Sequence, residues 1–491
     1  MLYNPPSMTA LLDRWRVPAG ELRAELARGR KPGEMVCLGC AAKVELVQTV
    51  YPVLEELARW LREKTKISLQ PRDDVYLFPT DGEIELTRGR YAVSDLAAGR
   101  TAQVTEDVKR ARPTGLVALA NFTPFPSRDK LKKAFFNFYE AADRAGVPFV
   151  VGKGHTIQIA KSEREEYFVA DYVRSSGSSL WGVANNDTIS SIDPNLEYAS
   201  WVSLFVAMNN ALNDIFLSGV TRGIRIYPTV DARDPADLPA IAAAMAKYRA
   251  FVAPLGIEIV EQPPLGFGTK SMGTTVVGVT DREVPINQRL QPGQILIATR
   301  PVGDLAPLTE ILIRQSLDED TSDLQELRER VLTEMLTPNV EAAKLIARHL
   351  PAKGEPFDRA RHVLSCRDMT GPGILAVEEL AQDSGNDVYV HDIALHDERI
   401  ASVDMPNPTS GTNGAIIIGA DEAVARRLHA ELREIGYRPW VIGRVERASR
   451  EPRILINRAL ARYGFVKGVR KGIFDRYEFV DERGVPHFAE P

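Results

Sequence analysis

With 491 residues, a charged fraction of 26% and a hydrophobic fraction of 44%, the chain has ordinary globular composition, long enough for two or three domains with buried cores. Its net charge of −5 provides no overall attraction to nucleic acid or an anionic membrane surface, so a polyanionic ligand must be held by local geometry or by metal. Three cysteines, Cys37, Cys40 and Cys366, cannot build a disulfide framework, and no run of about 18 apolar residues predicts a membrane span.

Residues 1–35 read as an N-terminal extension of polar helical turns closing in Gly29-Arg30-Lys31-Pro32-Gly33. Arg14 and Arg16 interrupt any apolar leader, which makes the cytoplasm the expected compartment. After Cys40, apolar residues at Val44, Leu46, Val47, Val50, Val53, Leu54 and Leu57 recur at helical spacing. They predict an amphipathic helix over 42–64 with Cys40 and Lys43 at its N-terminal edge. Val75-Tyr76-Leu77-Phe78 and Glu83-Ile84-Glu85-Leu86 flank Asp81-Gly82 and predict a hairpin.

Residues 90–178 carry strand and helix signals of their own and read as an inserted α/β subdomain. From 179 onward strands and helices alternate, with helices over 196–218 and 236–254 and strands over 223–229, 257–261 and 274–279. A second alternating region follows, with strands near 294–299, 362–367, 387–394, 414–419 and 439–444. The domains expected are therefore 36–290, containing the insertion, then 291–446, then a C-terminal extension over 447–491. In that extension Lys467, Arg470, Lys471 and Arg476 stand among Phe465, Phe474 and Tyr477, a cluster read as packing rather than as a nucleic-acid surface. The fold class is α/β, or α+β, in two lobes.

Several residues could carry chemistry. A thiol at a helix start beside a cation is biased toward thiolate, which suits Cys40 next to Lys43, although an isolated cysteine is more often simply buried. Cys37 and Cys40 lack a second pair for a structural zinc and leave a redox pair open. Asp73, Asp74, Asp187, Asp214 and Asp368 are the hard oxygen donors that magnesium takes, and each alone is also an ordinary cap or turn residue. Asn210 and Asp214 lie one turn apart on a strongly apolar helix and need partners, from a metal, a nucleotide or a core network. Gly371-Pro372-Gly373, preceded by Thr370, and Ser410-Gly411-Thr412-Asn413-Gly414 offer backbone N–H groups to phosphate. His155 reads as a satisfied or surface histidine, and there is no phosphate-binding G-x-x-x-x-G-K-[ST] run.

Taken in order, these segments resemble the selenophosphate synthetase (selenide, water dikinase) branch of the AIR-synthase-like, or PurM-like, superfamily. Gly39-Cys40-Ala41-Ala42-Lys43 is similar to its Gly-Cys-x-x-Lys, and Arg72-Asp73-Asp74 to its Arg-Asp-Asp. Asn210-Ala211-Leu212-Asn213-Asp214-Ile215-Phe216 resembles its Asn-Ala-x-Ser-Asp-Ile-Phe/Tyr. Asp368-Met369-Thr370-Gly371-Pro372-Gly373 resembles its Asp-Val-Thr-Gly-Phe-Gly, and Asn407-Pro408-Thr409-Ser410-Gly411 its Asp-Pro-Gln-Thr-Ser-Gly-Gly.

The resemblance implies a homodimer in which N-terminal lobes share a barrel, a C-terminal α/β lobe, and ATP with magnesium between them. It implies metal ligation by Asp74, Asp187, Asp214 and Asp368, and nucleotide contacts from Lys43, Asp73, Asn210, Thr370, Gly371 and Gly373. Cys40 would handle reduced selenium, with Lys43 on the phosphates. The implied reaction takes ATP, selenide and water to selenophosphate, AMP and phosphate, with no nucleic-acid or membrane partner. A ring-closing purine enzyme or a thiamine-phosphate kinase would not require Cys40 and Lys43 at this spacing. Departures include Glu261-Gln262-Pro263-Pro264 in place of the family's Gly-Gly-His segment, and Asn407. They leave open a diverged enzyme acting on sulfur or another small substrate, and a non-catalytic nucleotide-binding paralogue.

Overall fold

The computed structural model describes residues 10–28 and 181–488, apart from 190, 191, 194, 229, 231, 233, 261–271, 372, 401–406, 466–475 and 487. Between residues 29 and 180 it describes the backbone of strands only. The expected 42–64 helix, Cys37, Cys40, Lys43, Asp73, Asp74 and His155 lie outside the described residues.

The fold is mixed α/β and is centred on two sheets. The first contains β1 (Ser68–Leu69), β2 (Val75–Pro79), β5 (Val150–Val151), β6 (Thr156–Ala160), β7 (Trp181–Ile189), β8 (Arg222–Pro228), β9 (Glu258–Ile259) and β10 (Met272–Thr280). It is eight-stranded, in the order β1-β5-β2-β6-β7-β10-β8-β9. Both β5 and β6 come from the 90–178 segment, and β6 pairs with β2 on one side and β7 on the other.

The expected hairpin is re-partnered. Instead of joining the strand before it, β3 (Glu83–Leu86) folds back on β4 (Gly89–Ala92) as a separate ribbon, with Leu86 opposite Gly89. The apolar run Val75 to Phe78 pairs along β6 instead. Continuous apolar strands belong inside a sheet, whereas the alternating Glu-Ile-Glu-Leu suits a two-stranded ribbon.

At the N-terminus, α1 (Ala10–Asp13) and α2 (Ala19–Arg28) touch both halves of the molecule. Val17 and Leu22 enter the first core, while Leu12 packs with Tyr437 and Ile346 of the second. The first core is built around α3 (Trp201–Phe216), which lies against β7 and β10. Every residue of α3 except Asp214 is buried. Each fully buried Leu- or Phe-sized side chain contributes about 1.5–3 kcal/mol, so this helix is the principal anchor of the lobe. Packed on α3 are α4 (Leu238–Val252) and α6 (Gln325–Leu336), and α5 (Leu305–Ser316) adds Leu308 and Ile311 to the same core.

The second sheet contains β11 (Ile295–Ala298), β12 (Ser365–Asp368), β13 (Asn386–Val390), β14 (Ile416–Ala420), β15 (Trp440–Ala448), β16 (Ile454–Asn457) and β17 (Tyr477–Val480). Its order is β12-β14-β11-β15-β13-β16-β17. Both faces are covered. Ile416 and Ile418 face a core with α7 (Val340–Arg348) and α9 (Glu422–Glu434), while Ile417 faces one with α8 (Val377–Ser384). Such two-sided burial explains why β11 and β14 are apolar without alternation. The tail extends this sheet: β16 and β17 add in parallel beyond β13, and Phe465, Tyr477 and Phe479 stack edge to face.

Candidate functional site

Period-two geometry puts Val183, Asn185, Asp187 and Ile189 of β7 on the buried face that meets α3. Asp187 therefore sits within a strand, opposite Thr274, rather than at a cap or turn. On α3, Asn210 and Asp214 are one turn apart and share the face turned to β7. Two cross-links join these pairs. The Asn210 Nδ2 donates to Asp187 Oδ2 at 2.5 Å, and the Asn185 Nδ2 donates to Asp214 Oδ2 at 2.5 Å. Each carboxylate thus has an amide donor holding it, and Asp214 alone on the helix keeps partial exposure.

The glycine segments meet in the second lobe. Asp368 ends β12, and its Oδ2 accepts from the backbone N–H of Thr370 at 3.2 Å. Gly373 has φ +57°, and a Cβ there would stand 2.6 Å from the carbonyl oxygens of both Pro408 and Ser410. Only glycine permits this approach of one loop to the other. Gly371, with φ +90°, faces open space. Asn407 packs onto Gly303 and donates to the Asp397 carbonyl at 2.7 Å.

A backbone link connects these loops to α3. Met369 N–H donates to the Ala415 carbonyl at 3.0 Å, next to Gly414, whose carbonyl is held by Asn339 at 2.7 Å. Asn339 also donates to Asn213 Oδ1 at 2.9 Å, beside Asp214. The structure therefore brings together Asp187, Asn210 and Asp214 on one side, and Asp368, Thr370, Gly371 and Gly373 on the other, with β12 lying near α3.

Two buried oxygens at this junction, Asn210 Oδ1 and Thr370 Oγ1, have no hydrogen-bond partner among the described residues. Buried polar atoms are rarely left so, and a bound group would supply the partner each lacks. Among the described residues no three His, Cys, Asp or Glu side chains are grouped to hold a metal ion. The donors available, carboxylates and an amide oxygen, are nevertheless the hard type that magnesium takes, sharing its sphere with water and phosphate.

Beneath the loops lies a buried charge cluster that sequence reading missed. Arg300 donates to both Asp304 oxygens at 2.8 Å, His396 Nε2 lies 2.8 Å from Asp304 Oδ1, and Asn413 N–H donates to Asp304 Oδ2 at 2.9 Å. Burial pushes the Asp304 carboxyl up, but the Arg300 charge and the bonds from Arg300 and His396 outweigh it and hold it below its ordinary value. Asn185 and Asn339 were likewise missed, and Asn413 was read only as part of a backbone cradle, without its side-chain bonds to Asn213 and Val206. Asn185 could have been found from strand alternation, standing two before Asp187, whereas long-range partners such as Asn339 leave no local signal. Cys366 is buried, and burial pushes its thiol up, which suits an inert core residue.

No protein-family model and no curated protein matches this chain. Among solved structures, thiamine monophosphate kinase from Aquifex aeolicus is similar at 12% identity, covering 57% of this chain and 88% of its own, with a TM-score of 0.41. Thiamine-monophosphate kinase from Stenotrophomonas maltophilia is similar at 15% identity over 61% of this chain and 98% of its own, with a TM-score of 0.42. The Escherichia coli hydrogenase maturation protein HypE is similar at 19% identity over 56% and 82%, with a TM-score of 0.39.

Proposed function

We propose that this chain is an ATP-dependent phosphoryl-transfer enzyme of the PurM-like superfamily, and more narrowly one of the selenophosphate-synthetase type acting on a reduced selenium or sulfur species. What carries the reading is the pair of orphaned oxygens, Asn210 Oδ1 and Thr370 Oγ1, on the two segments that resemble the family's nucleotide-binding motifs. A group bridging them would satisfy both.

In this reading Asp187, Asp214 and Asp368, with Asp74, hold magnesium, which when bound would neutralise triphosphate oxygens. Asn185 and Asn210 orient two of those carboxylates through their amide N–H groups. The backbone N–H groups around Gly371 and Gly373 receive phosphate, and the apolar wall of α3 limits water at that edge. Lys43 supplies a point charge, and Cys40 presents the acceptor as its thiolate. Phosphoryl transfer asks mainly for positioning and charge neutralisation, which is what this residue set offers. Dimerisation through the first sheet belongs to the same proposal.

Anaerobic phosphorus NMR with ATP and magnesium, with and without selenide or sulfide, tests it. Selenide-dependent AMP, phosphate and a selenium-bonded phosphorus signal are expected, lost in Asp214→Ala. In Cys40→Ser, ATP binding should persist while acceptor-dependent turnover fails. ADP as the sole product would replace the dikinase with a kinase, and tight ATP binding without turnover would favour a nucleotide-binding regulator.

A further inference from the structure

The last two turns of α3 carry a second polar stripe. Asn210 and Asp214 face β7, while Asn209 and Asn213, also four residues apart, face elsewhere. Asn209 donates to the Leu336 carbonyl at 2.9 Å and accepts from the Tyr248 hydroxyl at 2.9 Å. Asn213 is bound across the lobes. Its Nδ2 donates to Asn413 Oδ1 at 3.0 Å, and its Oδ1 accepts from Asn339 Nδ2 at 2.9 Å. Asn339 spends its other bonds on the Gly414 carbonyl at 2.7 Å and the Tyr437 hydroxyl, which donates to its Oδ1 at 3.0 Å. Asn413 in turn donates from Nδ2 to the Val206 carbonyl at 3.3 Å and from its backbone N–H to Asp304.

All three amides are buried, with Asn213 and Asn413 each 2% exposed and Asn339 4%. Carboxamides bond along fixed directions, so this set defines both the height and the rotation of α3 relative to the Asn413-Gly414 turn. That turn has no slack either: Gly414 has φ +91°, and a Cβ on it would sit 3.2 Å from the amide nitrogens of both Asn213 and Asn339. It continues directly from the Ser410-Gly411 segment, and Asp214 follows Asn213.

We infer that Asn213, Asn339 and Asn413 form an inter-lobe latch, and that Asn213 is a positioning residue holding the Asn210–Asp214 face of α3 in register with the glycine segments of the second lobe. The catalytic consequence rests on the nucleotide-site reading above; the mechanical one does not. Movement at the loops is transmitted to the carboxylate face of α3 through the latch, and the reverse.

The test uses the full chain carrying Asn213→Ala. Without nucleotide, amide hydrogen exchange should accelerate roughly tenfold or more in both 209–216 and 411–416. Turnover should lose roughly tenfold or more in kcat with the KM for ATP within about threefold, and Asn213→Ser should recover part of it. Exchange that rises in one segment alone overturns the latch, and a thermal shift with unchanged kcat overturns the positioning role of Asn213. If the wild type cleaves no ATP, the functional reading falls while the exchange measurement still decides the latch. Should Asn213→Ala not fold, Tyr437→Phe removes one hydroxyl of the same set and should give a smaller acceleration in the same two segments.

Discussion

At Gly373 a missing side chain lets the 368–373 and 407–411 loops come together. A Cβ would meet two carbonyl oxygens at 2.6 Å, whereas at Gly371 it would meet nothing within 4 Å, although both have positive φ. Gly371→Ala is therefore expected to cost about 1 kcal/mol from backbone strain alone. Gly373→Ala should cost more, about 2–3 kcal/mol, because the loops must also part. Urea unfolding of the two variants checks this, and equal costs would contradict the close approach. The sequence marked both glycines as phosphate-binding candidates without distinguishing them. A motif records composition, and the difference lies in what another loop brings near. Asn185 makes the same point: alternation places it on the Asp187 face, but its bond to Asp214 depends on how α3 docks.

At the scale of the element, α3 was legible almost entirely. Its apolar continuity predicted a buried helix over 196–218 on which Asn210 and Asp214 need partners, while the second pair, Asn209 and Asn213, was not read from the sequence. The helix runs Trp201–Phe216. Its start depends on a distant residue. Ser200 caps the helix by accepting from Val202 N–H at 3.3 Å and donates from the same hydroxyl to Glu25 of α2 at 2.7 Å. A carboxylate near a helix N-terminus also matches the sign of the helix dipole. Ser200→Ala should destabilise the protein by about 1–2 kcal/mol, losing the cap and leaving Glu25 with one partner fewer. Glu25→Gln should cost less, since the amide oxygen still accepts. Thermal unfolding of both variants measures this, and a larger loss in Glu25→Gln would assign the site to the charge rather than to the cap.

Across the whole molecule, the Arg300–Asp304–His396 cluster lies where β11, α5 and the loops after β13 and before β14 converge. Asp304 is held below its ordinary value in the folded state. A carboxyl so lowered contributes stability that is complete above its unfolded pKa and is lost as pH falls through the folded one. Asp304→Asn leaves Arg300 buried and poorly paired, and should cost about 3–5 kcal/mol at neutral pH. The gap from wild type should close only below about pH 4, the unfolded carboxylate range. Urea unfolding at pH 7 and at pH 3 gives the comparison, and a gap independent of pH would remove the ionic contribution.

The sequence alone determined the mixed α/β class, the alternating order of elements from 179 to 445, and the candidate residues Asp187, Asn210, Asp214, Asp368, Thr370, Gly371 and Gly373. These follow from local periodicity and from short motifs, which need no knowledge of distant chain. Only the tertiary structure decided that β3 pairs with β4, that β6 lies between β2 and β7, and that Asn213 bonds to Asn339 and Asn413. Strand partners and buried amide bonds join residues far apart in the chain, and their choice is made by which surfaces pack together rather than by any pattern within either segment.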